Sequence, residues 1–215
     1  MLAKNLKIKP QKSCPTLKKK PTDLTDAKKI GIFGGTFDPV HIGHLIIAET
    51  VRERAGLDVI IFIPSAHPPH KNHELMFNPR ERYDMLEEAI KGNPGFIISD
   101  IEMKREGLSY TIDTLREIKK DLPVCSDLFF IVGKDNLSEI ELWKNPHEII
   151  DECTILVADR ICENHKDTPE WLKSKTKFVT APIIEISSSE IRQRIRDKKN
   201  IRHMVPDAVL KMMSG

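Results

Sequence analysis

Short β-branched apolar runs alternate along the chain with segments in which apolar residues recur at helical spacing. Val59–Ile63 is apolar at every position, as expected of a strand buried on both faces of a sheet, and it ends at Pro64. Similar runs predict strands at Lys29–Phe33, Phe96–Ile98, Leu128–Val132, Cys153–Ala158 and Lys177–Thr180. This β-α-β order predicts an α/β fold with a doubly wound, mostly parallel sheet and helices on both faces.

The segments between the strands carry the start and stop signals of helices. We predict helices at Ile42–Arg54, from Pro79 to the stop at Gly92-Asn93-Pro94, from a cap at Ser109 or Thr111 to Lys120, at Pro146–Asp151, from a cap at Ser187 or Ser188 to Asp197, and from Pro206 onward. In Rossmann-like sheets of this kind, ligands bind beyond the carboxyl ends of the strands. Residues that directly follow the strands are therefore the candidates for chemistry.

The positive charges of the chain are concentrated at its beginning. Residues 1–29 hold nine lysines and two acids, whereas residues 30–215 hold 25 basic and 30 acidic residues. The Lys- and Pro-rich start lacks apolar periodicity, which predicts a disordered basic leader over residues 1–28 and a single domain over residues 29–215. A basic excess outside the folded body disfavours a nucleic-acid-binding protein, and the leader lacks the apolar core of a secretory signal.

The cysteines and the apolar runs bear on the cellular compartment. Cys14, Cys125, Cys153 and Cys162 show no C-x-x-C spacing, so reduced structural thiols in a cytoplasmic protein account for them best. The longest apolar stretches are five residues, too short to span a bilayer, so no membrane association is expected. The sequence leaves the oligomeric state open, a homo-oligomer included.

The first predicted strand runs into a glycine pair, and the helix that follows begins with two histidines. Gly34-Gly35 lets the backbone approach a phosphate closely, and the helix N-terminus offers unpaired N–H groups to an anion. His41 and His44 are three residues apart and share a helix face, and Gly43 between them leaves room for a ligand. Imidazoles at such a helix start can donate hydrogen bonds to phosphoryl oxygens. The simpler alternative is that both histidines have no ligand and lie on the surface or cap the helix.

Cationic and polar side chains stand at other strand ends and helix starts. Lys71 follows a proline-stiffened turn and can bring a flexible ammonium to a phosphate. Ser188 and Ser189 open a helix as caps or as anion donors, and Arg192, one turn later, can fork onto phosphate oxygens. Asp135 follows a strand, where it suits either two ribose hydroxyls or a turn.

The histidines around Lys71 suggest a competing interpretation. His67, His70 and His73 are spaced three apart, which would suit a metal site on a helix. Pro68-Pro69 excludes a helix there, and no cluster of carboxylates or thiols accompanies the histidines. We therefore predict no protein-bound metal.

Six segments together resemble those of bacterial nicotinate-nucleotide adenylyltransferases, which belong to the nucleotidyltransferases with an H-x-G-H signature. In chain order they are Gly34–His44, Pro68–Lys71, Arg82–Leu86, Ser109–Leu115, Gly133–Leu137 with Trp143, and Ile186–Arg192. The resemblance implies transfer of AMP from ATP to nicotinate mononucleotide, which yields deamido-NAD and pyrophosphate. It also implies that Mg²⁺ arrives bound to the ATP phosphates.

The resemblance implies a role for each matched residue. Catalysis would involve His41, His44, Lys71 and Arg192. ATP would be bound by Gly34, Gly35, Thr36, Phe37, Gly43, Gly133, Asp135, Ser188 and Ser189, with Asp135 on the ribose. The pyridine mononucleotide would be bound by Asp38, Tyr110, Thr111 and Trp143, whose indole would stack on the pyridine ring or else fill a core.

Three positions depart from the family's pattern. Lys134 replaces the usual alanine beside Asp135, and Lys144 follows Trp143 where an aromatic residue or a histidine is common. Asp159-Arg160-Ile161-Cys162 keeps only the arginine of an R-P-G-Y-like turn. The alternatives are an adenylyltransferase on the same scaffold that uses nicotinamide mononucleotide or phosphopantetheine, and a nucleotide-binding module without catalysis.

Overall fold

Six strands of the described residues form the central sheet. The computed structural model describes residues 24–69, 75–159 and 168–213. Its strands are β1 Lys29–Gly35, β2 Val59–Pro64, β3 Phe96–Ile98, β4 Asp127–Gly133, β5 Thr154–Asp159 and β6 Thr176–Thr180. They follow the order β3-β2-β1-β4-β5-β6, and every pairing is parallel. The predicted doubly wound Rossmann-like sheet is confirmed.

Helices connect these strands. They are α1 Ile42–Ala55, α2 Pro79–Ile90, α3 Thr111–Lys119, α4 Lys134–Ser138, α5 Pro146–Glu152, α6 Glu170–Lys173, α7 Ser188–Arg196 and α8 Asp207–Met213. Local signals explain their ends. Asn78 caps α2 by accepting from the backbone N–H of Glu81, and Gly56 ends α1 in the left-handed conformation that glycine adopts without strain.

Side chains alternate along each strand, so the sheet has two apolar faces. In β2, Ile61 and Ile63 belong to the core that α3 and α5 cover, whereas Ile60 and Phe62 belong to the core under α1 and α2. All four are at most 1% exposed, and burying a side chain of this size stabilises the fold by about 2 kcal/mol. Burial on both faces explains why the β2 sequence shows no alternation.

The strand order places a crevice at one edge of the sheet. The chain adds β2 and β3 on one side of β1 and then crosses over to add β4, β5 and β6 on the other. The connections diverge between β1 and β4, and ligands bind at such a switch point, beyond the carboxyl ends of the strands. Gly35 and Gly133 end the two strands there.

The folded body begins before the predicted boundary at residue 29. Leu24 and Ala27 pack against the core, and the backbone N–H of Lys28 donates to Asp58 Oδ2 at 2.8 Å. Apolar residues do not recur at helical spacing in this segment, because its secondary structure is a single 3-10 turn over Leu24–Asp26. Residues 1–23, most of the predicted leader, lie outside the described residues.

The cysteines were predicted to be structural thiols. Cys153 lies in the core, where burial raises the pKa of its thiol to about 12, as expected of an inert structural cysteine. Cys125 is exposed, whereas Cys14 and Cys162 lie outside the described residues.

Two of the helices, α4 and α6, are not predicted from the sequence. They have five and four residues and are too short to show a helical period.

Among the helices described, none is both long and apolar enough to cross a membrane.

Candidate active site

The backbone after β1 folds tightly around the ring of Phe37. A Cβ atom on Gly35 would lie 2.9 Å from Phe37 Cζ, so glycine is the residue that fits beside this ring. Phe37 has a φ of 48° and is 2% exposed, so its ring belongs to the core, and the ATP contact that the sequence predicts for this residue stays a prediction. A Cβ on Gly34 would meet the Phe130 ring at an ordinary 3.5 Å, so packing does not require glycine at that position.

His41 and His44 stack on each other where α1 begins. Their ring centroids are 3.7 Å apart and the planes are inclined by 27°. The backbone N–H of His41 donates to His44 Nδ1 at 3.1 Å. Because Nδ1 accepts this bond, the proton of His44 resides on Nε2, and Nε2–H is the donor that this ring can offer to a ligand.

His41 is a buried and neutral imidazole. Its side chain is 7% exposed, and burial lowers its pKa to about 4, which keeps this ring uncharged near pH 7. Its Nδ1 atom is buried and has no hydrogen-bond partner among the residues that the structure describes. Nδ1 points at the start of α1, where a Cβ atom on Gly43 would lie 3.0 Å from it, so Nδ1 is not the atom of this ring that a ligand contacts.

Gly43 lies close against the ring of His41. A Cβ atom at this position would lie 3.0 Å from His41 Nδ1 and 3.4 Å from Ile184 Cγ2. The sequence predicts that Gly43 leaves room for a ligand, but the ring of His41 occupies that room. Gly43 therefore acts by allowing the His41 ring to stack on His44.

Asp38 and Arg192 form a buried pair at the connection between β1 and α1. Their side chains are 1% and 6% exposed, and Arg192 Nη1 lies 3.7 Å from Asp38 Oδ2. Nη1 also donates to the backbone oxygen of Asp38 at 2.7 Å. The Asp38 carboxylate accepts from the backbone N–H groups of Phe77 and Met76 at 3.0 and 3.1 Å. These contacts fit positioning roles better than the pyridine contact predicted for Asp38 and the phosphate contact predicted for Arg192.

The serines at the start of α7 tie this helix to the same segment. Ser187 caps the helix by accepting from the backbone N–H of Glu190 at 3.1 Å. Ser188 Oγ donates to the backbone oxygen of Pro39 at 3.0 Å, and Ser189 Oγ accepts from Arg192 Nη2 at 3.0 Å. Ser188 and Ser189, which the sequence predicts to bind ATP, thus hold the β1–α1 connection in place.

One cavity, of about 340 Å³, opens beyond the ends of β4 and β5; we call it the β4–β5 cavity. Its walls are formed by Ile47, Gly133, Lys134, Asp135, Ala158, Asp159, Ala181, Pro182 and Ile184. Gly133 and Asp135 are exposed there, as a nucleotide contact requires. Lys134 Nζ lies 3.3 Å from Asp159 Oδ2, so this unusual lysine pairs with a carboxylate that is 3% exposed.

A second cavity, of about 260 Å³, opens beyond β1 and β4 on the side of α3; we call it the β1–β4 cavity. Tyr110, Thr111 and Trp143 line it, as the sequence predicts for one ligand site. The residues Gly34, Gly35 and Thr36, which are predicted to contact ATP, also line this cavity. The edge of Trp143 packs against Phe130 at a centroid distance of 6.0 Å, which leaves the indole partly exposed.

The connection from β1 to α1 follows a residue of one cavity and precedes a residue of the other. Thr36 lines the β1–β4 cavity, Ile47 lines the β4–β5 cavity, and His41 and His44 stand between Thr36 and Ile47 in the sequence. Neither histidine is among the described residues that line the two cavities.

Comparison with known proteins places the chain in a family. The cytidylyltransferase-like family model matches residues 32–194. A protein of Dehalococcoides mccartyi named "Probable nicotinate-nucleotide adenylyltransferase" is 41% identical over 187 residues, which cover 84% of this chain and 92% of that protein. A protein of the same name from Desulfitobacterium hafniense is 39% identical, with 85% and 91% covered. The chain belongs to the nicotinate-nucleotide adenylyltransferase family.

Solved structures of adenylyltransferases share the fold. The Plasmodium falciparum nicotinic acid mononucleotide adenylyltransferase complexed with NaAD superimposes with a TM-score of 0.71 at 19% identity, over 87% of this chain and 95% of that one. The same enzyme complexed with APC gives a TM-score of 0.68 at 19% identity, over 87% of this chain and 94% of that one. The arrangement of the sheet and helices is therefore common to this adenylyltransferase and to those structures.

Arg82 is an important site residue to which sequence reasoning assigned no role. It is 0% exposed, and its guanidinium donates to the backbone oxygens of Thr36 at 2.7 Å, Ser65 at 2.6 Å and Ala66 at 3.2 Å. In this adenylyltransferase Arg82 therefore joins the segment after β1 to the segment after β2. The sequence marks Arg82 only by its position in Arg82–Leu86, one of the six segments that resemble the family.

Ser109 connects the segment after β2 to the start of α3. Its backbone N–H donates to the backbone oxygen of His67 at 3.0 Å, and its Oγ accepts from the backbone N–H of His67 at 3.2 Å. The segment after β2 is thus anchored at two points, by Arg82 and by Ser109.

Lys71, which the sequence predicts to act in catalysis, lies within residues 70–74, outside the described residues. His70 and His73 lie there as well, so the structure does not test the metal alternative that involves them. In the described parts of the chain, no cluster of three His, Cys, Asp or Glu side chains could hold a metal ion.

Proposed function

We propose that this protein transfers AMP from ATP to the 5′-phosphate of nicotinate mononucleotide, which yields deamido-NAD and pyrophosphate. One observation carries the proposal: a stacked histidine pair stands at the start of α1, and two cavities open beyond the ends of β1, β4 and β5 at the switch point of the sheet. The names of the two relatives described above support the same reaction.

The β4–β5 cavity suits ATP, and the β1–β4 cavity suits the pyridine mononucleotide. Asp135 is an exposed acceptor at the end of β4 for ribose hydroxyls, and Ile47 and Ile184 supply apolar walls for a purine. Trp143 supplies a flat apolar surface for the pyridine ring in the β1–β4 cavity, with Tyr110 and Thr111 beside it. The backbone of residues 34–36 leads from β1 to the point where the two ligands meet.

The chemistry needs no covalent intermediate and no general base. An oxygen of the 5′-phosphate attacks the α-phosphorus of ATP, a new P–O bond forms, and the bond to the bridging oxygen of pyrophosphate breaks. Phosphate is already ionised, so no proton must be removed from the nucleophile. The protein contributes positioning and stabilisation of the charge that develops on the α-phosphoryl and pyrophosphate oxygens.

His44 and His41 are the proposed donors to these oxygens. The bond from the His41 backbone fixes the proton of His44 on Nε2, so this ring is ready to donate without changing its protonation. The His41 ring is kept neutral and stacked, and its Nε2–H is the proposed donor. Lys71 is proposed to reach the phosphates from the segment after β2.

Asp38 and Arg192 act by positioning. Arg192 reaches from α7 to the segment after β1, and Asp38 reaches from that segment to the start of α2. Together with Ser188, they fix the backbone from which His41 and His44 project.

Mg²⁺ is proposed to arrive with ATP, bound to its phosphates, and to neutralise the charge of the leaving pyrophosphate. We propose ATP and nicotinate mononucleotide as the partners of the protein, a cytoplasmic location, and no role in binding nucleic acid. A homo-oligomer is compatible with the sequence.

The direct test is an assay of purified protein with ATP, Mg²⁺ and nicotinate mononucleotide. We expect pyrophosphate release and deamido-NAD, identified by mass. Parallel reactions with nicotinamide mononucleotide and with phosphopantetheine compare the acceptors by kcat/KM. Calorimetric titration with ATP covers the remaining alternative, because binding of ATP without turnover of any acceptor would indicate a silent nucleotide-binding module and refute the proposal.

A further inference from the structure

Lys144 is the one cationic side chain among the described residues that line the β1–β4 cavity. It follows Trp143, between the 3-10 turn Ile140–Leu142 and α5, and its side chain is 43% exposed. Its Nζ lies 4.5 Å from the centroid of the Tyr110 ring, in cation–π geometry, and 2.9 Å from Asp113 Oδ2. Two contacts therefore hold this ammonium at the wall formed by the start of α3.

The same wall carries a second positive contribution. α3 begins at Thr111, which lines the cavity, and the N-terminus of a helix bears a partial positive charge and unpaired N–H groups. Asp113, in the first turn of α3, offsets part of this charge. The wall nevertheless combines a helix start and an ammonium in the cavity that Trp143 also lines.

The acidic residues of the cavity are Glu102 and Glu139. Glu102 is 8% exposed and accepts from Thr114 Oγ1 at 2.8 Å, and its Oε2 atom has no hydrogen-bond partner within the described parts of the chain. The lining of the cavity thus carries charges of both signs, positive at Lys144 and the α3 start and negative at Glu102 and Glu139. A nicotinate nucleotide also carries both signs, because its ring nitrogen is positive and the carboxylate on the ring is negative.

We propose that Lys144 is a specificity-determining residue, whose ammonium favours acceptors that carry a carboxylate on the pyridine ring over acceptors that carry an amide. This inference rests on the proposed function, because it concerns the acceptor of that reaction. A carboxylate gains a charge-assisted hydrogen bond from the ammonium, whereas a neutral amide gains much less. At this position the family commonly has an aromatic residue or a histidine, whose ring can contact the pyridine. In this chain Lys144 offers a positive charge in place of that ring.

The alternative is that Lys144 only ties α3 to the segment before α5 through its ion pair with Asp113. Two substitutions separate these roles. Lys144→Met removes the ion pair and the ammonium, whereas Asp113→Asn removes the ion pair and keeps the ammonium. Lys144→Arg keeps the charge, and Lys173→Met removes a lysine of similar exposure, 47%, that pairs with Glu170 within α6.

The experiment measures kcat/KM with nicotinate and with nicotinamide mononucleotide for the wild type and these variants. For Lys144→Met we expect a loss of about five- to twentyfold with the nicotinate acceptor, because a partly exposed charge is screened, and a change within about twofold with the nicotinamide acceptor. Asp113→Asn, Lys144→Arg and Lys173→Met should keep the preference of the wild type for nicotinate.

Each other outcome has a distinct meaning. If the wild type uses neither acceptor, the proposed function fails and this inference fails with it. If the wild type uses nicotinate mononucleotide and Lys144→Met keeps the same ratio between the acceptors, only the inference fails. It fails as well if Asp113→Asn loses as much preference as Lys144→Met, because the ion pair alone would then explain the effect.

Discussion

Arg192 Nη1 donates to the backbone oxygen of Asp38 at 2.7 Å and lies 3.7 Å from its carboxylate, although 154 positions separate the two residues. The pair joins α7, near the end of the fold, to the connection between β1 and α1. Both side chains are more than nine-tenths buried, so each needs its partner in order to remain charged in the interior. The geometry of the histidine pair therefore depends on a contact made by the last third of the chain.

We predict that breaking this pair lowers stability strongly. Arg192→Met or Asp38→Asn should each lower the free energy of unfolding by about 3 kcal/mol, because a buried charge loses its partner. The double variant should cost less than the sum of the single variants by at least about 1 kcal/mol. Urea denaturation of the three variants measures this coupling, and strictly additive losses would show that the two side chains do not interact.

We predict that His44→Ala lowers kcat about 100- to 1,000-fold, as removal of one preorganised donor to a developing anion does in other enzymes. Stability should change little, because the ring is only partly buried. Pyrophosphate release under saturating substrates measures kcat. His147→Ala is the matched control, since His147 is an exposed histidine that packs on Trp171 away from the proposed site. Near-normal turnover of His44→Ala would remove His44 from the mechanism.

We predict that His41 makes the protein less stable at acidic pH. Burial lowers its pKa to about 4, whereas the unfolded chain has the ordinary value near 6.5. The unfolded state therefore binds the proton first, and the free energy of unfolding should fall by about 2–3 kcal/mol as the pH drops from 6.5 to 4. The fall should be complete below pH 4 and absent above pH 6.5.

Urea denaturation at several pH values measures this effect. The control is His41→Asn, in which the part of the pH dependence due to His41 should be missing. If wild type and His41→Asn lose stability in parallel between pH 6.5 and 4, the buried neutral histidine does not cause the loss.

We predict that Lys134→Ala weakens ATP binding. The substitution removes the ammonium 3.3 Å from Asp159 and leaves that buried carboxylate as added negative charge in the β4–β5 cavity. The KM for ATP should rise about three- to tenfold, an effect of about 1 kcal/mol because Lys134 is half exposed, while the KM for the acceptor stays the same. Lys134→Ala with Asp159→Asn should restore the KM for ATP; if the double variant binds ATP no better, the Asp159 charge is not responsible.

Local patterns in the sequence predict the sheet and most helices, since each element has its own apolar rhythm or cap. Val59–Ile63 and Phe96–Ile98 lie within the observed strands, and the H-x-G-H spacing predicts that His41 and His44 share a face. α4 follows β4 directly at Lys134 and has five residues, so neither a loop nor a period marks its start.

The partners of buried charges could not be predicted. Asp38 follows a strand at the predicted ligand edge, yet its carboxylate faces the backbone of Met76 and Phe77. Lys134 and Asp159 are 25 positions apart, and nothing local to either residue indicates the other. These contacts are set by how strands and helices pack in three dimensions, which spacing along the chain does not encode.

We predict that Gly43→Ala impairs catalysis without unfolding the protein. The new Cβ atom would lie 3.0 Å from His41 Nδ1 and 3.4 Å from Ile184 Cγ2, so the His41 ring must shift by a few tenths of an ångström relative to His44. Alanine favours a helix over glycine by about 1 kcal/mol, which offsets part of the strain. We expect a fall in kcat of about tenfold, since a displacement of about 1 Å would cost about 100-fold and this shift is smaller, with a thermal midpoint close to that of the wild type.

Pyrophosphate release and thermal denaturation of the same preparation measure the two quantities together. A large drop in both would mean that Gly43 supports the fold rather than the histidine stack. Full activity at normal stability would mean that the stack of His41 on His44 is not needed for the reaction.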